Sequence, residues 1–324
     1  MKKLLLILLI PLLLISCKFD DDTEIIEMIE VIASPWERMS DFPGLERDDS
    51  VGFTINGEGY VGTGKTGGYH TDFYKYNPDS NSWNQIADIN GVARQYCSSF
   101  TTGNDAYIFG GKTGADMYTN ELQSYNSASN TWTNHAPLPA EGRFSSMSFK
   151  LNNTAYIIGG RTNVSFNEVW AYDIPSDSWV QKADLPFNAR HESFTFSIDG
   201  FGFIGAGINM DGSSYNDVWK YDPASDTWTE MESFPGSIRS YAVGFSYLDN
   251  GFVCTGSNSQ AETINEFWRY NSIDDSWTEL EAPAYGKIRG TAIFKINNEV
   301  FVCNGLDENI DRSKELWRTT LTSN

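Results

Sequence analysis

Residues 143–179 read RFSSMSFKLNNTAYIIGGRTNVSFNEVWAYDIPSDSW, and this stretch decides the fold. Short runs rich in aromatic and β-branched residues are separated by Asn152-Asn153 and by Gly159-Gly160, which tolerate the backbone angles of tight turns. A fourth run opens with Trp179 after a polar turn. The stretch therefore predicts four short antiparallel strands, called a, b, c and d in chain order.

The same pattern recurs six times, with a period of 47 or 49 residues, and a tryptophan opens each strand d. These tryptophans are Trp36, Trp83, Trp132, Trp179, Trp228 and Trp277. A phenylalanine follows each Trp by 17 residues, an aromatic residue follows each by 24, and a tyrosine precedes each of the last five by 7. Four antiparallel strands in a repeat of about 50 residues are typical of a propeller blade. The sequence therefore predicts an all-β, six-bladed β-propeller.

Two short segments resemble the double-glycine motif of kelch repeats. They are Tyr107–Gly111 (YIFGG) and Tyr156–Gly160 (YIIGG), and the Tyr and Trp seven residues apart resemble the third and fourth kelch strands. The resemblance covers about residues 34–321 and implies a kelch propeller similar to the central domain of galactose oxidase and to sialate mutarotases. It specifies the fold better than the function, because propellers host many activities.

The two ends of the repeat pattern are complementary. Trp36–Met39 has the pattern of a strand d with no preceding strand c, whereas Glu315–Arg318 has the pattern of a strand c with no following strand d. Pairing these segments would remove the open sheet edges. We therefore expect the N-terminal strand to complete the sixth blade and close the ring.

The first residues resemble a bacterial export signal that ends in a lipobox. Residues 1–16 contain two lysines and an apolar run too short to span a bilayer, and Cys17 follows Ser16. We expect residues 1–16 to be a signal peptide, residues 17–33 to be a lipidated cysteine and its tether, and residues 34–324 to form the propeller. The mature chain would then be lipid-anchored in the cell envelope, at the outer membrane, facing the periplasm or the surface.

Residues 23–33 admit two structures, an amphipathic helix or an additional strand, and the sequence does not decide between them. The oligomeric state is equally open. The formal charge of −20 makes nucleic acid an unlikely partner. Apart from Cys17 the cysteines are Cys97, Cys254 and Cys303, which we expect to be reduced core thiols.

No cofactor or metal is expected. The chain lacks calcium-loop and Cys-x-x-Cys spacings. A copper site like that of the kelch oxidases needs two histidines near the channel, and His135 follows a strand-d Trp, far from it.

The candidate ligand surface is the propeller face formed by the b–c and d–a loops, because all length variation between repeats lies in the b–c loops. We predict ligand contacts from aromatic residues of the b–c loops and from arginines 11 residues after each Trp, near the channel mouth. The aromatic set is Tyr69, His70, Tyr118, Phe166 and Tyr215, and the arginines are Arg47, Arg94, Arg143, Arg190 and Arg239. An acidic peptide, a partner protein or a glycan would fit such a surface.

The alternative for the arginines is that they bind loop carbonyls within their own blades. The sixth repeat departs from the column, with Ile288 at the arginine position and Arg289 one residue later. A shift of one residue turns a strand side chain to the other face, so we expect an asymmetric gap beside Ile288.

A catalytic alternative rests on His191 and Glu192, with Glu141 one blade earlier. A histidine and carboxylates at a channel mouth could carry out acid–base chemistry on a sugar. The resemblance to sialate mutarotases implies the same activity. The leading hypothesis remains a non-enzymatic, lipid-anchored binding module, and an exported sugar mutarotase or epimerase is the second.

Overall fold

The computed structural model describes residues 30–323, which form six antiparallel blades of four strands each around one axis and contain no helix. Strands a to d are Val51–Ile55, Glu58–Gly62, Phe73–Asn77 and Ser82–Ile86 in blade 1, and Ser98–Thr102, Asp105–Phe109, Leu122–Asn126 and Thr131–Asn134 in blade 2. They are Met147–Leu151, Thr154–Ile158, Val169–Asp173 and Ser178–Gln181 in blade 3, and Phe194–Ile198, Phe201–Gly205, Val218–Asp222 and Thr227–Met231 in blade 4. In blade 5 they are Val243–Tyr247, Asn250–Cys254, Phe267–Asn271 and Ser276–Leu280. The predicted all-β, six-bladed fold is confirmed.

Blade 6 is built from both ends of the chain. Its strands a, b and c are Ala292–Ile296, Glu299–Asp307 and Arg312–Ser323. Glu37–Arg38 supplies strand d by pairing with Trp317 and Arg318, as the closure prediction requires. Val31–Ala33 pairs with the end of the same strand c, so this part of residues 23–33 is a strand.

The first strand of each blade lies against the first strand of both neighbours, and the ring closes between blades 6 and 1. Burial falls outward within a blade: in blade 4, strand b is almost fully buried, whereas strand d is mostly exposed. The strands a surround a channel of about 250 Å³ whose lining is rich in serine and threonine side chains. The apolar core therefore lies between blades rather than on the axis.

The Trp and Tyr columns tie neighbouring blades together. The Trp179 indole donates a hydrogen bond to the carbonyl of Ala136 in the preceding blade, at 2.8 Å. The amide nitrogen of Ala136 donates to Asp177 Oδ1, which also accepts the Tyr172 hydroxyl. Equivalent hydrogen bonds from a Trp indole to a backbone carbonyl join blade 1 to the N-terminal segment, blade 2 to blade 1 and blade 5 to blade 4. The aromatic columns thus hold neighbouring blades together.

The strand directions define two faces, called here the bc/da face and the ab/cd face after the loops that form them. Four minor strands lie in the b–c loops of blades 1 and 2 on the bc/da face: Lys65–Thr66, Gly68–Tyr69, Lys112–Gly114 and Met117–Tyr118. On the same face, Ile288–Arg289 pairs with strand b of blade 6. Val31 and Ser323 pair at the opposite end, on the ab/cd face. Residues 30–323 include no helix with the length and apolar character needed to cross a membrane.

The signal-peptide and Cys17 predictions lie outside the described residues. Cys97, Cys254 and Cys303 are free thiols, and the latter two are fully buried. Burial raises the pKa of the Cys97 thiol to about 11, which leaves it protonated and weakly nucleophilic.

Candidate functional site

The arginine column lies inside the blades. All five side chains have exposures of 0% or 1%, and each donates through Nε to the backbone carbonyl two residues earlier. Arg190 shows the full pattern, with further bonds to the Ala206 carbonyl and to both carboxylate oxygens of Asp217. The expectation that these guanidiniums grip a ligand is corrected by this geometry, because all five are buried and bonded within their own blades. Arg94 Nη1 is buried without a hydrogen-bond partner among the described residues.

The partners of the arginines form a second column, which was not among the predicted site residues. An acidic residue precedes each of the last five Trp by 11 residues and pairs with the arginine of the same blade; these acids are Asp72, Glu121, Glu168, Asp217 and Glu266. Blade 6 has Glu315 at this position and no column arginine, and Arg38 of the closing strand pairs with it at 2.8 Å. The regular spacing of the acids was the available signal.

The predicted aromatic residues are divided between scaffold and surface. Phe166 and Tyr215 cover the guanidiniums of Arg143 and Arg190 at 4.0 and 4.2 Å from the ring centroids. His70 lies 4.0 Å from Asp72, with its pKa lowered mainly by burial and by the charge of Arg47. These side chains shield the buried ion pairs.

Tyr118 and Tyr69 are half-buried on the bc/da face. Tyr118 stacks on Phe144, whose ring is also covered by the cations of Lys112 and Arg161 at 5.4 and 4.6 Å. This aromatic and cationic cluster lies next to the channel mouth.

A ring of left-handed residues surrounds that mouth, 13 residues after each Trp. Its members are Asp49, Tyr96, Ser145, Glu192, Tyr241 and Gly290, with φ between 53° and 62°. Backbone hydrogen bonds join successive members from Gly290 through Asp49, Tyr96, Ser145 and Glu192 to Tyr241, at 2.7 to 3.3 Å. The residue types of this column vary between blades, so the sequence alone does not reveal it.

Two tyrosines from opposite blades meet across the mouth. The ring centroids of Tyr96 and Tyr241 are 6.1 Å apart, and the Arg289 guanidinium lies 4.8 Å from the Tyr241 ring. Asp49 and Glu192 are both buried here, and Asp49 Oδ1 and Glu192 Oε2 lack hydrogen-bond partners. Burial, followed by the charge of neighbouring Asp48, holds the pKa of Asp49 well above its usual range.

The structure brings two of the three predicted acid–base residues together. Burial raises the pKa of Glu192 to about 7, and His191 Nε2 lies 3.9 Å from Glu192 Oε1. His191 is buried, its Nδ1 is 3.1 Å from the Ser165 hydroxyl, and desolvation lowers its pKa to about 3, so it is neutral at pH 7. Glu141 is exposed, and its backbone carbonyl accepts a bond from Arg143.

The asymmetric gap expected beside Ile288 corresponds to a cleft of about 460 Å³ between blades 5 and 6. Ile288 is buried at the column position, which leaves Arg289 in the cleft wall with Lys287, Leu306 and Ile310. Within residues 30–323, the Arg289 side chain has no hydrogen bond and no ion pair. Its neighbours in electrostatic reach are Asp49 and Glu192. This guanidinium is therefore available to an anionic ligand.

Three further cations occupy one position in blades 1 to 3, directly after the loop glycine. They are Lys65, Lys112 and Arg161. None has a carboxylate within 4.0 Å in the described part of the chain, although the protein carries a formal charge of −20. With Arg289, they form a rim of four cations around the channel mouth, next to the buried carboxyls of Asp49 and Glu192.

Exposed aliphatic side chains concentrate on the same face. Of the eleven large hydrophobic residues that are exposed between residues 30 and 323, seven lie in its loops: Leu45, Val92, Met117, Val164, Met210, Ile238 and Ile310. Each of the six blades contributes at least one of these side chains to the face. No group of three or more His, Cys, Asp or Glu side chains suited to a metal is found in the same residues.

Comparisons with known proteins agree with the repeat pattern. A family model described as the KLHDC2/KLHL20/DRC7 Kelch-repeats domain matches residues 36–186, and the Kelch motif matches residues 202–235. A comparison with curated proteins finds no significant match. Kelch propellers are in general protein-interaction modules. The two matches together cover 185 of the 324 residues (151 and 34), and they identify kelch repeats in this chain.

Proposed function

We propose that this protein is a non-enzymatic binding module that captures an acidic segment of a partner protein on its bc/da face. The observation that carries the proposal is the set of unpaired cations, Lys65, Lys112, Arg161 and Arg289, among exposed aliphatic side chains on a chain of formal charge −20. Complementary charge steers and orients an acidic partner, and the aliphatic residues provide buried area. A glycan is less suited, because the exposed hydrophobic residues here are aliphatic rather than aromatic.

Fluorescence anisotropy with labelled polyglutamate tests the electrostatic part of this proposal. The whole protein would repel such a probe, so binding at physiological ionic strength requires the rim of four cations. We expect binding that weakens with added salt and is lost in the double variant Lys112→Glu and Arg161→Glu.

The matched control is Lys150→Glu, since Lys150 lies at the ab/cd end of strand a in blade 3. Unchanged binding is expected for this control. Absence of polyglutamate binding, or equal loss in the control, would contradict the proposal.

We also propose that the module is held in the cell envelope by a lipid on Cys17. The support is the lipobox-like sequence that ends at this cysteine. Replacement by Cys17→Ala should move the protein from the membrane fraction to the soluble fraction and abolish the acyl mass increase. Retention of the variant in the membrane fraction would argue against the anchor.

The second candidate function is sugar mutarotation or epimerisation at the channel mouth. It is favoured by Glu192, a buried carboxyl with a pKa of about 7, because a group with this pKa can both accept and donate a proton near neutrality. Proton NMR of sialic acid anomers decides this candidate. Acceleration above buffer that disappears in Glu192→Gln supports it, and a rate equal to buffer excludes it.

A further inference from the structure

We infer that Ile310 is an apolar anchor of the docking surface and that Arg289 beside it contacts a carboxylate of the partner. The inference deepens the proposed function, on which it rests. It defines the partner segment as one with an acidic side chain adjacent to a large apolar side chain.

Ile310 is held at the tip of the hairpin between strands b and c of blade 6. It is 74% exposed, the highest exposure among the large hydrophobic residues described. Asp307 fixes this tip: its Oδ1 accepts the backbone N–H groups of Asn309 and Asp311 at 2.8 and 2.9 Å, and its carbonyl accepts that of Ile310 at 3.2 Å. The isoleucine is therefore presented by a braced turn.

The conformation of Ile310 is unfavourable for its side chain. Its φ of 67° lies in the left-handed region, where a β-branched residue is a genuine outlier. The other β-branched residues with positive φ are Thr63 and Thr255, and both are buried. Asparagine or glycine would suit the Ile310 turn better, so the fold itself gives no reason for an exposed isoleucine here.

Arg289 supplies the polar half of the surface. Both residues line the cleft of about 460 Å³, which three carboxylates also line. Each of these already has a partner: Glu308 pairs with Lys287 at 3.5 Å, Glu262 accepts the side-chain amide of Asn258, and Asp307 accepts backbone N–H groups of the turn. Arg289 is the remaining cation of this cleft, and its guanidinium can accept a carboxylate in bidentate geometry. The exposed Ile310 side chain can contact an apolar residue of the partner while the Arg289 guanidinium binds the carboxylate of the residue beside it.

Selection from a phage-displayed library of random linear peptides tests this inference. Peptides enriched on the wild-type protein should contain Asp or Glu beside Leu, Ile or Phe. Their affinity should fall about tenfold or more in Ile310→Asn and in Arg289→Gln, as for central interface residues.

Leu248→Asn is the matched control, since Leu248 is exposed with a φ of 50° on the ab/cd face. Both asparagine variants should keep or raise the unfolding midpoint, because asparagine tolerates this φ. Only Ile310→Asn should lose peptide binding.

Two results would overturn the inference: no enrichment relative to an unrelated protein, or enriched peptides that bind Ile310→Asn as tightly as wild type. If polyglutamate binding still depends on Lys112 and Arg161 in that case, the proposed function stands and only the role of Ile310 and Arg289 fails.

Discussion

Arg190 and Asp217 are joined by two parallel hydrogen bonds inside blade 4, from Nη1 to Oδ1 at 2.7 Å and from Nη2 to Oδ2 at 2.9 Å. The Tyr215 ring covers the guanidinium, and the Asp217 carboxylate also accepts the Trp219 indole N–H. Burial alone would raise the pKa of Asp217, but the hydrogen bonds and charge of Arg190 outweigh it and lower the pKa. The pair is thus a structural unit of the blade.

Removing one partner of this pair should destabilise the protein strongly. In Arg190→Met the Asp217 carboxylate, whose side chain is 23% exposed, would lose its counter-charge, and we expect a loss of about 3 kcal/mol in the free energy of unfolding. Urea denaturation measures this loss.

Arg38→Met provides the comparison, since Arg38 pairs with Asp41 and Glu315 on the surface and should cost less than about 1 kcal/mol. A similar cost for the two variants would show that burial of the pair is unimportant.

Stability should fall as the pH rises through the range in which Glu192 titrates. Its folded-state pKa of about 7 exceeds the ordinary value of 4.5, so between these pH values the folded protein holds a proton that the unfolded chain has released. The native state loses about 3 kcal/mol over this window.

Glu192→Gln should remove this component, so its stability should depend less on pH between 5 and 8 in parallel denaturant titrations. The burial-raised pKa of Asp49 acts in the same direction and is present in both proteins. Identical pH profiles for the two proteins would contradict the assignment.

The N-terminal strand should be essential for stability. Val31 and Trp36 are buried against blade 5 and the end of strand c in blade 6, and the Val31 carbonyl accepts a bond from Arg269. A truncated chain beginning near Asp48 loses these contacts, and we expect a loss of several kcal/mol or no folding. Thermal melting checks this, and a midpoint equal to that of the parent would refute the closure.

Close approach of the inner strands should make Gly244 intolerant of a side chain. A Cβ at this position would lie 2.5 Å from the Thr195 carbonyl oxygen of blade 4. Gly244→Ala should therefore cost about 1–3 kcal/mol, as overpacking does. Gly68→Ala is the control, because open space surrounds Gly68, and its unfolding midpoint should match that of wild type within error.

The aromatic columns were sufficient to predict the fold, because each strand needs the same packing in every blade. Trp179 and Tyr172 recur because they connect a blade to the preceding one, and the indole hydrogen bond is present in four of the six blades. The same logic explains why the arginine prediction needed correction. A residue such as Arg190 that recurs in five blades meets a need that each blade has, here the neutralisation of Asp217.

The candidate site was less predictable because it depends on departures from the repeat. Ile288 and the shifted Arg289 were recognised as such a departure. The meeting of Tyr96 and Tyr241 was not, since it joins residues from opposite blades, 145 positions apart in the chain. Likewise, only the backbone geometry distinguishes Ile310 from any other loop isoleucine.

The pairing of Val31 with Ser323 determines from which side the described chain can be attached to another molecule or to a support. Both ends of the described chain leave from the ab/cd side of the disc, behind the surface that carries Arg289 and Ile310. A surface support or a fused protein joined directly to residue 30 or residue 323 would therefore start from the rear of the disc. The proposed docking surface lies on the opposite side and would stay open to a partner.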